Sequence, residues 1–336
     1  MKKVVFFCIA ILFFVYVRFS NNEKIGICFT GQGVKIAGVC NDFIKNVPAV
    51  SKEYEKIKQT TGLTDEDILT GKDADLFTKG KAQLALVVVQ YLIFKGICTL
   101  CPNLHFDYAI GQSLGNYTAL LVSGAFPSEN LFSFVKLRDK LSAEFSKSSD
   151  QPYGMLVVKG ISENDVKKYV DNESTFIAGL NMPTCFTISG VKKEIGLLKE
   201  KIQRDIPGIW VKELNVLTPF HTNLMKPLVD RLWDSFPVRH LLKMPIISDA
   251  TGQIYTSPEA FNKDWMEKQL TSPMKWSGEN GVCNSIRKQG LTRIVVVGDG
   301  QGLANMIKEN MPNMKVYVVK TTDQLNEIVR YIKKVN

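Results

Sequence analysis

Phe106-Asp107-Tyr108-Ala109-Ile110-Gly111-Gln112-Ser113-Leu114-Gly115-Asn116-Tyr117-Thr118-Ala119-Leu120-Leu121 passes from an apolar run into a helix-forming one across a serine bracketed by glycines. This order predicts a strand, a sharp turn and a helix. A serine on such a turn is lifted above the edge of a sheet, and the flanking glycines let the backbone bend and leave room for a substrate. Ser113 is therefore a candidate nucleophile. The simpler reading of the same residue is a cap at the start of the helix.

Working outward, Lys24-Ile25-Gly26-Ile27-Cys28-Phe29 predicts an earlier strand that ends in the turn Thr30-Gly31-Gln32-Gly33. Such a turn points backbone N–H groups at whatever binds the carboxyl edge of the sheet. Residues 41–80 are polar with helical fragments and form a cover, and Lys81 to Gly96 reads as a largely buried helix. Beyond the serine, the apolar positions Leu131, Phe134, Val135, Leu141 and Phe145 recur at helical spacing and place Arg138 inside the stripe. A guanidinium facing a core either snorkels out, pairs with a buried carboxylate, or waits for an anion.

From Met155 the pattern changes. Met155–Val158, Phe176–Leu180, Cys185–Ser189 and Ile209–Leu214 read as strands, with helices over Glu163–Val170 and Lys192–Asp205, which is the βαββαβ order of a ferredoxin-like unit. The expected architecture is thus α/β: a large α/β-hydrolase-like domain with a parallel central sheet (24–152 and 217–336) and an inserted ferredoxin-like domain (153–216). The chain returns through Leu217-Thr218-Pro219-Phe220-His221 to a helix with apolar positions from Met225 to Phe236. Pro245–Asp249 and Ile294–Val297 add strands, the latter ending in Gly298-Asp299-Gly300. Of three histidines, His221 is the best placed to act as a base for Ser113, since His105 precedes the nucleophile strand and His240 lies in a polar junction.

The 336 residues, 45% of them hydrophobic, suffice for a large core. Lys2 and Lys3 followed by the apolar run Val4 to Val17 have the length and flanks of a signal-peptide leader over residues 1–20, too short for a stable span, so none is expected in the mature chain. The net charge of +9 is spread along the chain with no Lys/Arg run interleaved with aromatics, which argues against a nucleic-acid groove and leaves an acidic protein as the sharper option for a partner. Seven cysteines, one of them in the leader, and three scattered histidines build no metal site; Cys98-Thr99-Leu100-Cys101 has no completing pair.

These spaced motifs together resemble the malonyl-CoA:acyl carrier protein transacylases of bacterial-type fatty acid synthesis. The resemblance rests on Thr30 to Gly33, Gly111 to Gly115, Arg138, Asn181 after the middle strand of the insert, His221, Gln269-Leu270 before Pro273 and Trp276, and Gly298 to Gly300. It implies that Ser113 attacks a malonyl thioester and His221 carries the proton, with the backbone carbonyl of Gln269 orienting the imidazole. It further implies an oxyanion hole from the N–H groups of Leu114 and Gln32, and Arg138 on the malonyl carboxylate. Phe220 either limits space for an α-methyl group or packs under the loop, and Asn181 joins the substrate-binding set. The implied donor is malonyl-CoA, the acceptor is the phosphopantetheine thiol of an acidic acyl carrier protein, no metal or organic cofactor is required, and a monomer is expected.

Three positions depart from that pattern: Gln112 stands in place of a histidine, Asn116 in place of a glutamate, and Asp299 in place of a proline. They keep a carrier-binding homologue with impaired catalysis as one alternative. A serine thioesterase or esterase is the other, although that fold places its histidine late and none follows His240. With the leader, a bacterial-type fatty acid synthesis component is expected to enter a plastid (apicoplast) by the secretory route, with mitochondrion or cytosol as alternatives.

Overall fold

A computed structural model describes residues 23–214 and 216–334. The expected leader lies outside them. Eleven strands occur among the described residues: β1 (Lys24–Phe29), β2 (Tyr108–Gly111), β3 (Tyr153–Lys159), β4 (Thr175–Met182), β5 (Cys185–Val191), β6 (Trp210–Leu214), β7 (Ile246–Ser248), β8 (Ile254–Tyr255), β9 (Met274–Lys275), β10 (Leu291–Val297) and β11 (Lys315–Val319). They form two sheets, ordered β11-β10-β1-β2-β7-β8 and β6-β3-β5-β4-β9. The first is parallel except for β8.

The strands of the parallel sheet are buried on both faces, as their near-continuous apolar sequences require. Ile27, Phe29, Ala109, Val295 and Val297 point into one core, while Cys28, Ile110, Ile247, Ile294 and Val296 point into another. The first core is filled by the helix Ala82–Leu100, which is apolar all round and long enough to cross a membrane, yet is packed inside the protein, with Ala82 to Gln90 continuously buried. The helix Ser128–Ser148 closes over it, and Arg138 lies on its buried face.

In the second sheet β6-β3-β5-β4 is antiparallel and ordered as a ferredoxin-like unit, with the helix Lys192–Asp205 setting Ile195, Leu198 and Ile202 against Leu156, Val158, Phe186 and Ile188. The α/β class and the ferredoxin-like insert expected from the sequence are both observed. One strand of this sheet comes from far along the chain: β9 pairs in parallel with β4, Gly179 to Met274 and Leu180 to Lys275.

Two elements differ from expectation. The helix expected from Met225 to Phe236 is a 3-10 helix, Asn223–Leu228, followed by a single short α-helix, Val229–Trp233. Pro227 lies inside the first and has no N–H to continue an α-helical ladder. The helix expected over Glu163–Val170 ends at Val166 and continues as a turn.

Candidate active site

The turn after β2 is built as its glycines require. Gln112 N–H donates to the Phe29 carbonyl at 2.9 Å, which ties the turn to β1, and the helix Gly115–Val122 then leaves over the same strand. A Cβ on Gly115 would collide with the Phe29 carbonyl, and one on Gly111 would collide with the backbone of Asn116. Between them Ser113 has φ +50°, a left-handed conformation that side chains rarely adopt. Only Asn172 and His221 share this feature among the described non-glycine residues. Two of the three strained residues are thus the expected nucleophile and base.

They meet. Ser113 Oγ lies 2.7 Å from His221 Nε2. On the far side of the ring, Nδ1 is 3.2 Å from the Ser272 carbonyl. A carbonyl only accepts, so Nδ1 carries the proton, and Nε2 offers its lone pair to the serine hydroxyl. Burial, then the nearby positive charge of Arg138, lower the His221 pKa to about 4, against a smaller opposing effect of the Ser272 carbonyl. The imidazole is neutral at pH 7 and able to take a proton. Among the described residues no carboxylate bonds to the ring, so the arrangement is a dyad and not the serine–acid–histidine order of an esterase.

The resemblance assigns the orienting carbonyl to Gln269, but the structure gives that role to Ser272. Gln269 is inside the helix Lys263–Thr271, whereas Ser272 is the first residue beyond it, extended at φ −100° and ψ 150°, so that its carbonyl leaves the helix axis. Pro273 follows and favours this extended geometry. Gln269 is fully buried and its side chain acts elsewhere: Nε2 donates to the Ser113 carbonyl at 3.2 Å, and Oε1 accepts from the Tyr117 hydroxyl at 3.0 Å. It braces the nucleophile and is not among the residues lining the cavity.

A cavity of about 680 Å³ opens onto the pair, lined by Gly31, Gln32, Gln112, Ser113, Phe220, His221 and Asn181 and by the apolar side chains of Met155, Val157, Met182, Leu214, Val216 and Met306. Trp210, Lys159 and Lys212 also line it. Asn181 is fixed by donating to Thr187 Oγ1 at 2.9 Å. The Gln32 turn is held by Gln90, whose amide donates to the Thr30 carbonyl at 2.9 Å and to its hydroxyl at 2.8 Å. Leu114, immediately after the nucleophile, is buried at the start of the helix. Backbone N–H groups beside a nucleophile and on a neighbouring turn are what an oxyanion hole needs.

Gln112, where the family pattern has a histidine, accepts through Oε1 from Gly31 N–H at 3.4 Å and links the two turns. Asp299, at the end of β10, pairs with Lys320 at 3.0 Å and accepts from Lys35 N–H at 3.3 Å, a structural tie.

Arg138 is 1% exposed. Its guanidinium donates to Gln83 Oε1 and lies over the rings of Phe220, at 4.4 Å, and Tyr117, at 5.3 Å. Its Nε has no partner, and no carboxylate forms an ion pair with it among the described residues. The adjacent Asp139 instead accepts from Gln83 N–H at 2.8 Å. Burial pushes the Arg138 pKa down, while the fields of Tyr117 and Asp139 oppose this. A buried guanidinium without an anion, one residue from the base across Phe220, is an incomplete ion pair.

Sequence reasoning misses Gln90, Tyr117, Asp249 and Ser272. Their only signal is position in three dimensions, because each acts on the backbone or side chain of a residue far away in sequence.

No protein-family model matches the chain. The malonyl CoA-acyl carrier protein transacylase of Bacillus subtilis (strain 168) is 24% identical over 327 residues, which span 94% of this chain and 99% of that protein. The enzyme of the same name from Staphylococcus aureus (strain COL) is 25% identical over 313 residues, 90% of this chain and 97% of that one. Among solved structures, FabD from Acinetobacter baumannii superposes with a TM-score of 0.82 at 20% identity, covering 94% of this chain and 99% of that one. A malonyl-transacylase in complex with a type II polyketide acyl-carrier protein superposes equally well, with a TM-score of 0.82 at 22% identity, covering 92% and 100%. Over nearly its whole length the chain is a relative in sequence, and a match in fold, of the malonyl-CoA:acyl carrier protein transacylases.

Proposed function

We propose that this chain transfers the malonyl group of malonyl-CoA to the phosphopantetheine thiol of an acyl carrier protein, through a malonyl ester on Ser113, in fatty acid biosynthesis. Ser113 Oγ attacks the thioester carbonyl as His221 Nε2 takes its proton. The oxyanion forms against the N–H groups of Leu114 and Gln32. Collapse breaks the carbon–sulfur bond, and the departing thiolate takes the proton from the imidazolium. The carrier thiol then repeats the steps in reverse order and frees the serine.

The observation that carries the acyl choice is Arg138, a buried cation with an unpartnered Nε and no carboxylate in ion-pair contact among the described residues. A malonyl carboxylate completes that pair, and an acetyl group leaves it open. Phe220 packs on the guanidinium and lines the cavity, which limits space for an α-methyl group; one methyl is worth only about 1–3 kcal/mol, so a preference and not exclusion follows. The apolar walls suit the pantetheine arm, and the exposed Lys212 suits an acidic partner, while Lys159 is already paired with Glu309 at 2.7 Å.

Intact-protein mass spectrometry with malonyl-CoA or acetyl-CoA tests the reading. A malonyl adduct is expected that requires Ser113, is absent in Ser113→Ala, and clears when acyl carrier protein is added. Arg138→Ala should lower malonyl transfer ~100-fold or more while acetyl transfer holds, as expected for losing a charge-assisted bidentate contact. Equal loss of both would make Arg138 structural. Residues 1–20 are further proposed to send the chain by the secretory route to a plastid; a fluorescent fusion found in the cytosol or mitochondrion would reject this.

A further inference from the structure

Asp249 is a buried carboxylate that the transfer scheme does not use. It follows β7, is fully enclosed, and has no ion pair with Lys or Arg among the described residues. Its hydrogen bonds converge on the nucleophile. Oδ2 accepts from Ser113 N–H at 2.7 Å and from Trp276 Nε1 at 3.3 Å, and Oδ1 accepts from Asn116 Nδ2 at 2.6 Å. The same Asn116 amide donates to the Ser113 carbonyl at 2.9 Å. Asn116 Oδ1 is left buried without a partner. An orphaned amide oxygen is costly, yet turning the amide over would aim that oxygen at the carboxylate and at a carbonyl. The orientation is therefore set by Asp249.

We propose that Asp249 is the positioning residue of the nucleophile: with Asn116 it clamps the N–H and C=O of Ser113 and holds it in its left-handed conformation, with Oγ aimed at His221. The pair also accounts for one departure from the family pattern. Where the resemblance places a glutamate, this chain has Asn116, because the carboxylate arrives from strand β7. Burial raises the Asp249 pKa to about 6, and the donors from Ser113, Asn116 and Trp276 oppose that rise; at neutral pH it accepts through both oxygens. The proposal rests on Ser113 being the nucleophile of the reaction above, but not on which acyl group it takes.

The test is made independent of the acyl donor. A fluorophosphonate probe forms a bond from Ser113 Oγ to phosphorus, fluoride leaves, and the hydroxyl proton passes to His221. The full chain is compared with Asp249→Asn, Asn116→Glu and the double variant. In Asp249→Asn an amide nitrogen faces either Ser113 N–H or Asn116 Nδ2, donor against donor. Asn116→Glu sets two carboxylates together. The double variant restores a donor facing a carboxylate with the same net charge; it gives up the Asn116 bond to the Ser113 carbonyl, which keeps that of Gln269 Nε2.

Each single variant is expected to label ~100-fold more slowly, the scale of a small misplacement of a reacting group, but to the same final extent. The double variant should label within about tenfold of the original chain. The proposal is overturned if Asp249→Asn labels within about threefold of the original, a change too small for a misplaced nucleophile. It is also overturned if the double variant shows the two losses multiplied, or if the variants lose labelling extent and not rate. Loss of the folded state in all three would assign Asp249 to core stability and end it as well. Failure of all malonyl transfer with normal probe labelling would instead reject only the acyl assignment.

Discussion

The two strained residues of the site are supported in opposite ways. Ser113 is held by side chains from three places, Asn116, Asp249 and Gln269, all reaching its N–H or its carbonyl. His221 is held by main chain: its own N–H donates to the Leu270 carbonyl at 2.7 Å, and its ring N–H to that of Ser272. The serine corner can therefore be undone by single substitutions some distance from it. The histidine corner depends on where a helix ends, which few side-chain changes can move.

That contrast can be broken outright by His221→Ala. Removing the general base should cost ~10⁴-fold in acyl transfer while the fold is kept, measured as the rate of Ser113 acylation in single-turnover mixing. The next effect separates the charge near the histidine from its hydrogen bonds. With a folded pKa of about 4 for His221, below the ordinary 6.5, and of about 6 for Asp249, the catalytic rate should rise as pH climbs through about 4, rise again through about 6 as the clamp on Ser113 ionises, and then stay level through neutrality. Removing the Arg138 charge in Arg138→Ala favours the imidazolium, so the first rise should move toward higher pH. An unchanged midpoint would mean that burial alone sets it. Linkage has the same sign: the unfolded histidine binds a proton that the folded one refuses between pH 6.5 and about 4, so this group's contribution to stability is present above 6.5 and falls as pH drops through that window.

Smaller effects sharpen the comparison. Gln269→Leu should slow Ser113 acylation ~10-fold, because it removes a brace, and should destabilise the fold by about 1–3 kcal/mol, because it strands the buried Tyr117 hydroxyl. Ser272→Ala keeps the carbonyl and should change the rate by less than about twofold, the size of an ordinary surface substitution. A large loss in Ser272→Ala would show that the histidine corner also relies on side chains.

Much of this is legible in the amino-acid sequence alone. The turn at Ser113 is announced by its own neighbours, since Gly111 and Gly115 mark where backbone crowds backbone. Arg138 betrays itself by interrupting an apolar stripe, and the insert shows its alternation of strands and helices. Asp249 and Ser272 are not legible as site residues. Asp249 follows a strand whose parallel neighbour, β2, lies well over a hundred residues away, and Ser272 contributes a carbonyl that every residue possesses. The expected helix after His221 fails for a local reason: its apolar spacing is correct, but Pro227 denies the hydrogen bond that an α-helix needs there. Strand β9 is only two residues long and owes its existence to the edge that β4 presents.

That short strand makes the insert inseparable from the chemistry. Met274 begins two residues after Ser272, so the peptide that fixes the imidazole runs straight into a seam with Gly179 and Leu180 of the other sheet. An engineer who excised the ferredoxin-like unit to obtain a minimal catalyst would free that segment and release the histidine from its tautomer. Grafting the large domain onto a different insert therefore requires a replacement edge strand, in register with Met274 and Lys275, before any question of specificity arises.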